Sequence, residues 1–273
     1  MRAVPDAQPA GLRYPARAMS LDDEPPTPIK PLVALRALEA LRRNPQDTSQ
    51  VFILGEAIKG SSPIKLMHRF RRDPLGRERL RERRKLIETL QRAEWLASLP
   101  SGTLGRTYHE FMVEQNLSAQ GLVDLSVATG LAIPDDGSDR HFIGRQLRDM
   151  HDLFHVLSGY GRDELGEVCV LAFSYPHQGT RSFALIATLG AFVLRKRLQT
   201  PGVLRAAWQA WRHGRAAAWL PVQPLESLLT QDLVTLRRAL RIAPPTRYLA
   251  VLDRLNARGK AVPQPPGRLL FNP

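Results

Sequence analysis

Cysteine is nearly absent from this chain of 273 residues, which contains only Cys169. A single cysteine forms no intramolecular disulfide, and it excludes a zinc site built from several thiolates. Long apolar runs are also missing, since the run at 183–194 covers twelve residues and a membrane-spanning helix needs about 20. We therefore expect a buried helix there and no transmembrane segment. The first residues lack the basic-then-apolar layout of a secretory signal, and no Gly-rich phosphate loop or G-x-S-x-G elbow is present.

Acidic residues are scarce relative to basic ones, with 26 Asp and Glu against 39 Lys and Arg and a net charge of +13. The excess of positive charge is concentrated at 65–85, a segment that contains ten basic and three acidic residues. Such a segment either attracts polyanions or forms a solvated helix with internal pairs such as Glu78–Arg81 and Glu82–Lys85. No zinc finger, RRM-type or helix-turn-helix pattern accompanies the charge. We therefore expect no nucleic acid partner, and an anionic membrane surface as the polyanion.

Alternating strand patterns are nearly absent, whereas apolar residues recur at helical spacing, which predicts an all-α fold. We expect a mobile, proline-rich arm at 1–28, a single mainly helical domain at 29–250 and a C-terminal tail at 251–273. Proline, glycine and capping residues divide the domain into helices. The main predicted helices are 31–43, 50–59, 77–96, 105–116, the segment that carries the histidines described next, 183–194, 203–220 and 224–240.

The densest chemistry lies in the run from His151 through Asp152 to His155, followed twelve residues later by Glu167. Histidines four residues apart share one face of a helix, so two imidazole nitrogens can reach the same metal ion. Asp152 points about 100° away on an ideal helix, and it is either a ligand, a partner of a ligand, or a base. A ligand set of two His with Asp and Glu suits Zn²⁺, with Fe²⁺ or Mn²⁺ as alternatives.

Glu167 can join the histidines because Gly159 and Gly161 interrupt the helix. Asp163 is a good N-cap for the next helix, so the sequence predicts a helix–Gly–helix hairpin that carries the metal site. Glu164, one turn earlier on the same face, competes with Glu167 for this role. An incomplete protein shell leaves a position for water or substrate, which is typical of catalytic sites. The alternative interpretation is a pair of core histidines that hydrogen-bond to their neighbours.

Two arginines precede the motif by one and two helical turns. Arg145 and Arg148 either hold a phosphate or carboxylate beside the metal or pair with the neighbouring aspartates Asp149 and Asp152. The remaining histidines at 109, 141 and 177 are isolated, and we interpret them as loop or core residues. A phosphohydrolase of the HD type is a third hypothesis, but those enzymes need a further upstream histidine that His141 fits poorly.

The motif and its surroundings resemble the Coq4 family of ubiquinone biosynthesis proteins. The family signature is H-D-x-x-H, eleven residues and then E, and it is complete between His151 and Glu167. Further landmarks occur in the same order along the chain, and the resemblance covers roughly 31–245. These landmarks are Asp47-Thr48, Gly105-Arg106-Thr107-Tyr108, Asn116-Leu117, Gly121-Leu122-Val123-Asp124, Gly214-Arg215, Leu225-Glu226 and Pro244-Pro245.

The resemblance implies an all-α protein, with homodimers among its members, and a zinc-like ion bound by His151, Asp152, His155 and Glu167. It implies oxidative decarboxylation at ring carbon 1 of a polyprenylated quinone precursor, performed by a decarboxylase- or hydroxylase-type lyase. The alternative is a non-catalytic, prenyl-lipid-binding scaffold with a structural metal, which organises other quinone-biosynthesis proteins. We expect a cytoplasmic location, peripheral on the inner face of the membrane. For the polyprenyl tail we expect an apolar groove that includes 183–194 and the tryptophans Trp208, Trp211 and Trp219.

Overall fold

A computed structural model of the chain describes residues 26–44 and 47–259. All regular secondary structure in these two ranges is helical, which confirms the all-α prediction. None of these helices has the length and apolarity needed to cross a bilayer. The α-helices are α1 Pro31–Arg43, α2 Thr48–Ala57, α3 Ser62–Arg72, α4 Pro74–Glu82, α5 Leu86–Leu90, α6 Ala93–Ser98, α7 Leu104–Glu114, α8 Gly121–Ala128, α9 Asp139–Asp149, α10 His151–Ser158, α11 Glu164–Gln178, α12 Arg181–Leu198, α13 Gly202–Ala216, α14 Leu225–Leu228, α15 Leu233–Ala239 and α16 Thr246–Ala257, with a 3₁₀ turn at Leu220–Val222.

Two helices begin at capping side chains close to their predicted starts at 50 and 105. Asp47 accepts a hydrogen bond from the N–H of Ser49 at 3.1 Å and begins α2. Thr103 accepts one from the N–H of Arg106 at 3.3 Å and begins α7. Side chains of this kind supply the acceptors that the first turn of a helix lacks.

The single helix predicted at 77–96 is wrong, because three short helices, α4, α5 and α6, occupy this part of the chain. Helix α4 ends at Arg83, whose backbone is left-handed with φ of 51°. The guanidinium of Arg83 pairs with Asp139 at the start of α9, so a tertiary contact stabilises the break. The helix predicted at 224–240 is likewise divided into α14 and α15, and Asp232 caps the latter by accepting from the N–H of Thr235 at 2.8 Å.

Helix α11 forms the centre of the core, with most of its residues buried and with α12 and α13 packed along it. Helix α13 approaches it closely at Gly214, where a Cβ would lie 2.1 Å from the carbonyl oxygen of Phe173. Helix α16 packs on α13 and buries Val251, Leu252 and Leu255. The helical body therefore continues past residue 250, where we expected a tail.

Helix α12 contains the twelve-residue apolar run and is buried on one side only. Ala187, Ala191 and Leu194 are in the core, whereas Phe192 and Val193 are each 55% exposed. The run therefore forms one side of the body rather than a fully buried helix. Most of the predicted N-terminal arm, residues 1–25, and the last residues of the predicted tail, 260–273, lie outside the described residues.

The basic segment 65–85 is held mainly by ion pairs with distant acidic residues, and Lys85 pairs with Asp135 at 2.8 Å rather than with Glu82. Arg79 forms two hydrogen bonds with Glu226, at 2.6 and 2.8 Å, and both side chains are nearly buried. Asp139 receives Arg71 at 3.0 Å as well as Arg83. Much of the positive charge therefore stabilises the packing of α3 and α4 on α9 and α14.

Candidate metal centre

Three of the predicted ligands meet where α10 and α11 lie side by side. One ligand atom each from His151, His155 and Glu167 lies within 4.8 Å of the other two. The two imidazole rings have centroids 5.0 Å apart and are almost perpendicular, at 81°. The i, i+4 spacing thus places both rings on one side of α10, and α11 returns the carboxylate to them.

His155 has the environment of a metal ligand. Its ring is fully buried, and its Nδ1–H donates to the carbonyl oxygen of Tyr160 at 2.9 Å. In the neutral ring this bond makes Nε2 the nitrogen that carries no hydrogen, and Nε2 lies 3.6 Å from Oε2 of Glu167. Nε2 makes no hydrogen bond with any residue of the described ranges. A buried, unprotonated imidazole nitrogen beside a carboxylate fits a divalent cation, because the backbone bond on the other nitrogen fixes the tautomer that binds metal.

The turn between α10 and α11 depends on two glycines. Gly159 ends α10 with φ of 74°, a left-handed conformation that glycine adopts without strain. Gly166 lies so close to the turn that a Cβ would be 2.0 Å from the carbonyl oxygen of Gly161. Any larger residue at 166 would force α11 away from the turn, and Glu167 would move with it.

Two further contacts fix this turn. Asp163 accepts from the N–H groups of Leu165 and Gly166, each at 3.1 Å, and so begins α11 as predicted. Tyr248 of α16 donates its hydroxyl hydrogen to Asp163 and accepts from the N–H of Gly161 at 3.0 Å. The last helix of the body therefore stabilises the turn that delivers Glu167.

The end of α10 is held by a buried arginine. Arg237 of α15 donates from Nε to the carbonyl of Leu157 at 3.0 Å and from Nη2 to that of Val156 at 2.8 Å. Burial lowers the pKa of Arg237 to about 9. These bonds satisfy carbonyl groups that the end of a helix leaves without partners, and they keep the backbone next to His155 in place.

Helix α7 closes the other side of the histidines with aromatic rings. Phe111 stacks on His155 with centroids 5.7 Å apart. Burial, followed by the negative charges of Asp152 and Asp149, raises the pKa of the Tyr108 hydroxyl. Tyr108 therefore stays protonated beside the centre over the physiological range.

The three converging groups shift one another's pKa values. Burial lowers the pKa of His151, and the neighbouring His155 lowers it further. Burial also opposes the charged form of His155, but the Glu167 carboxylate outweighs this effect and raises the pKa of His155. Burial raises the pKa of Glu167, yet the positive charge of His155 dominates and lowers it to about 2. The centre therefore holds an anionic carboxylate ready for a cation.

Asp152 is not part of the converging group. It is buried to 9% exposure, and its side chain forms no hydrogen bond or ion pair with the described residues. Its negative charge nevertheless acts to raise the pKa values of Tyr108, His151 and His155. Glu164, the competitor of Glu167, pairs instead with Arg197 of α12.

The two candidate substrate arginines have different surroundings. Arg148 pairs with Asp149 at 2.8 Å, and both are almost buried. Arg145 pairs with Asp135 at 2.7 Å in the loop before α9. Arg148 lines the cavity described next, whereas Arg145 does not.

A cavity of about 610 Å³ reaches His151. Its walls are mainly apolar, and α2, α3, α8, α9 and the start of α12 contribute to them. Of the predicted groove residues at 183–194, Phe183 lines this cavity.

The three tryptophans predicted for the groove lie elsewhere. Trp211 and Trp219 line a second cleft of about 450 Å³, and Trp208 is 59% exposed. The apolar space beside the centre is therefore built from different helices than expected.

Several residues that support the centre are not identifiable from the sequence. Tyr248 and Arg237 lie 85 and 80 residues from their partners Asp163 and Leu157, and no local pattern signals such contacts. Phe111 and the carbonyl of Tyr160 are likewise ordinary in sequence. Gly166 is the exception, since it lies within the family signature, directly before Glu167.

Comparison with known proteins gives consistent matches. The family model of the coenzyme Q (ubiquinone) biosynthesis protein Coq4 matches residues 29–246. The mitochondrial ubiquinone biosynthesis protein COQ4 homolog of Danio rerio is 31% identical over 232 residues, covering 84% of this chain and 82% of the relative. That of Rattus norvegicus is 31% identical over 239 residues, covering 86% of each chain.

A solved structure supports the fold. The crystal structure of a Nostoc punctiforme protein, provisionally assigned to ubiquinone biosynthesis, matches with a TM-score of 0.61 and 18% identity. The match covers 79% of this chain and 99% of that one. At this identity the likeness concerns the arrangement of helices.

Proposed function

This chain belongs to the Coq4 family of ubiquinone biosynthesis proteins, and we propose that it is a metal-dependent enzyme that oxidatively decarboxylates ring carbon 1 of a polyprenylated aromatic quinone precursor at a membrane surface. The observation that carries the proposal is the buried Nε2 of His155, which faces Glu167 without a hydrogen-bond partner among the described residues. Such an atom is costly to bury unless something binds it.

The residues at the centre suit a divalent ion, with zinc favoured and iron or manganese as alternatives. His151, His155 and Glu167 would hold the ion, and Asp152 would orient the histidines or complete the ligand set. A bound ion polarises a carboxylate or phenolate oxygen and can activate water or dioxygen. The partly open ligand set leaves a position for the substrate.

The surrounding residues would position the substrate and control water. The cavity that reaches His151 is mainly apolar, so it can receive the ring and the first part of a prenyl tail. Arg148, which lines this cavity, would bind an oxygen of the ring substituents. Tyr108 is a buried phenol that stays protonated, so it would act as a hydrogen-bond donor.

The reaction replaces a carboxylate by a hydroxyl group. The bond between ring carbon 1 and the carboxyl carbon breaks, carbon dioxide leaves, and a carbon–oxygen bond forms at the same ring carbon. The aromatic acid loses two electrons, which reduce one dioxygen to hydrogen peroxide, and a water molecule supplies the oxygen of the new hydroxyl group. The chain's own groups bind and orient the acid and keep the centre shielded from bulk water.

Replacing Glu167 by glutamine tests this proposal. We expect Glu167→Gln to abolish conversion of a prenylated hydroxybenzoic acid to the corresponding phenol, measured by mass spectrometry. Glu164→Gln is the matched control, because Glu164 pairs with Arg197 rather than with the histidines. Full product formation by Glu167→Gln would contradict the proposal.

A non-catalytic, prenyl-lipid-binding scaffold is the second candidate, and the same apolar cavity favours it. In that case Glu167→Gln would lower thermal stability and the recovery of other quinone-biosynthesis proteins in pull-downs. An enzyme would lose product formation while its pull-downs stay intact. The two readouts on one variant therefore separate the candidates.

A further inference from the structure

We propose that the N-terminus of α12 is an oxyanion-binding subsite on the cavity that reaches His151. Thr180, Arg181 and Ser182 form it, and all three line the cavity. It would bind a carboxylate or phosphate group of an amphipathic ligand. The identification of this ligand with the quinone precursor rests on the proposed function, whereas the subsite itself is separate from the metal centre.

The start of α12 has backbone donors without acceptors from the helix. This helix has 18 residues, and the side chain of its N-cap, Thr180, makes no capping hydrogen bond. The N–H groups of Arg181 and Ser182 therefore remain available, whereas that of Phe183 donates to the carbonyl of Thr180 at 3.0 Å. The helix dipole adds partial positive charge at the same place, which favours an anion.

The hydroxyl group of Ser182 points to a ligand independently of the helix end. Ser182 is 1% exposed, and its Oγ has no hydrogen-bond partner within the described part of the chain. The oxygen is directed across to α2, because a Cβ on Gly55 would lie 3.5 Å from it, and Gly55 also lines the cavity. A buried hydroxyl without a partner costs free energy, and an oxyanion in the cavity would accept its hydrogen.

Arg181 adds a full positive charge that no carboxylate of the described residues neutralises. By contrast, Arg148 and Lys59 line the same cavity but pair with Asp149 at 2.8 Å and with Glu56 at 2.9 Å. The guanidinium of Arg181 rests against the turn after α2, since a Cβ on Gly60 would be 2.6 Å from its Nη1. The glycine thus leaves room for the guanidinium at the edge of the cavity.

The position of the subsite indicates the kind of ligand. His151 and the start of α12 border one continuous cavity, and apolar side chains such as Leu66, Leu147 and Leu171 also line it. A ligand with an anionic group and an apolar body could fill the space between the two. This arrangement suits a prenylated aromatic acid or a prenyl phosphate.

Calorimetric titration of the purified full-length protein tests the subsite with three probes: benzoate, inorganic phosphate and neutral benzamide. We expect at least one anion to bind and benzamide not to bind. Arg181→Gln and Ser182→Ala should each weaken anion binding by about tenfold, as expected for hydrogen bonds to a charged group. Arg195→Gln, an exposed arginine at the other end of α12, should bind like the wild type.

The anion that binds with the higher affinity identifies the chemical group of the natural ligand. Higher affinity for benzoate indicates a carboxylate, and higher affinity for phosphate indicates a prenyl phosphate or a lipid headgroup. Binding of neither anion, or unchanged binding by both variants, would overturn the subsite. The titration is repeated with Glu167→Gln, which should keep its anion affinity. Loss of anion binding only in Glu167→Gln would place the anion at the metal centre and would also overturn the proposed subsite. Metal content, measured in the same samples, tests the proposed function separately.

Discussion

The hydroxyl group of Tyr248 donates to the carboxylate of Asp163, a residue 85 positions earlier in the chain. The same oxygen accepts from the N–H of Gly161 at 3.0 Å. Asp163 in turn caps α11, and Glu167 lies in the first turn of that helix. One phenol on the last helix therefore ties together the turn that brings the carboxylate to the histidines.

Replacing Tyr248 by phenylalanine removes this tie while it keeps the ring. We expect Tyr248→Phe to lower the free energy of unfolding by about 1–3 kcal/mol, because Asp163 and the Gly161 N–H lose a buried partner. Urea denaturation measures this change. Tyr160→Phe is the matched control, since the buried Tyr160 hydroxyl has no hydrogen-bond partner in the described residues. Equal losses in the two variants would contradict the assigned role of Tyr248.

Gly166→Ala tests whether close approach of the turn positions Glu167. The added Cβ would lie 2.0 Å from the carbonyl oxygen of Gly161, so the start of α11 must move. We expect lower stability, by about 1–3 kcal/mol, and weaker metal binding. Gly121→Ala serves as control, because its nearest neighbour would be 3.7 Å away. Metal affinity equal to that of the wild type would show that Glu167 tolerates the shift.

The raised pKa of His155 predicts that metal binding releases a proton. In the metal-free protein the Glu167 carboxylate raises the pKa of His155 above its ordinary value, so part of His155 is protonated near neutral pH. A metal must displace that proton, and affinity should rise with pH until pH exceeds the raised pKa. His151, whose pKa is lowered, is already neutral and contributes none.

Calorimetry in buffers with different ionisation enthalpies counts these protons. We expect a fractional release of up to about one proton per metal at pH 7, decreasing as pH rises. Release of two protons, or an affinity that falls with rising pH, would contradict the assignment of the shifted pKa values.

The unpaired part of the basic segment predicts binding to anionic membranes. Lys65, Arg72 and Arg81 are exposed and form no ion pair with described residues, unlike Arg79. We expect the protein to sediment with vesicles containing phosphatidylserine, less so at high salt, and not with neutral vesicles. Replacing these three residues by glutamine should reduce binding, at about 1 kcal/mol per residue.

A charge-matched control uses three exposed arginines from α13 and α16, namely Arg205, Arg212 and Arg254, each replaced by glutamine. This variant has the same net charge as the first. Equal loss of vesicle binding in both would show that the overall charge, and not this surface, attracts the membrane.

Local signals in the sequence predict a large part of this structure. The spacing of His151 and His155 places both rings on one helix face, and Asp163 caps the following helix as its side chain suggests. Asp47 and Thr103 likewise begin helices. Each of these features depends on residues within one or two helical turns, so the local sequence is enough to predict it.

Contacts between distant residues account for what the sequence does not predict. The break at Arg83 depends on Asp139. The carbonyl groups at the end of α10 are bonded by Arg237, which lies 80 residues away from Leu157. Helical periodicity continues through 77–96 and so gives no sign of such a break. Asp152 illustrates the same limit, because the side on which it lies follows from how α10 packs against α7 rather than from its position in the motif.

Metal content is the most direct test of the central claim that His151, His155 and Glu167 bind a divalent ion. Elemental analysis would compare the wild-type protein with His155→Ala and with His109→Ala, a control histidine on α7 outside the centre. We predict about one equivalent of zinc, iron or manganese in the wild type and the control, and a loss of that metal in His155→Ala. Absence of metal from the wild type after reconstitution, or full retention by His155→Ala, would contradict the account.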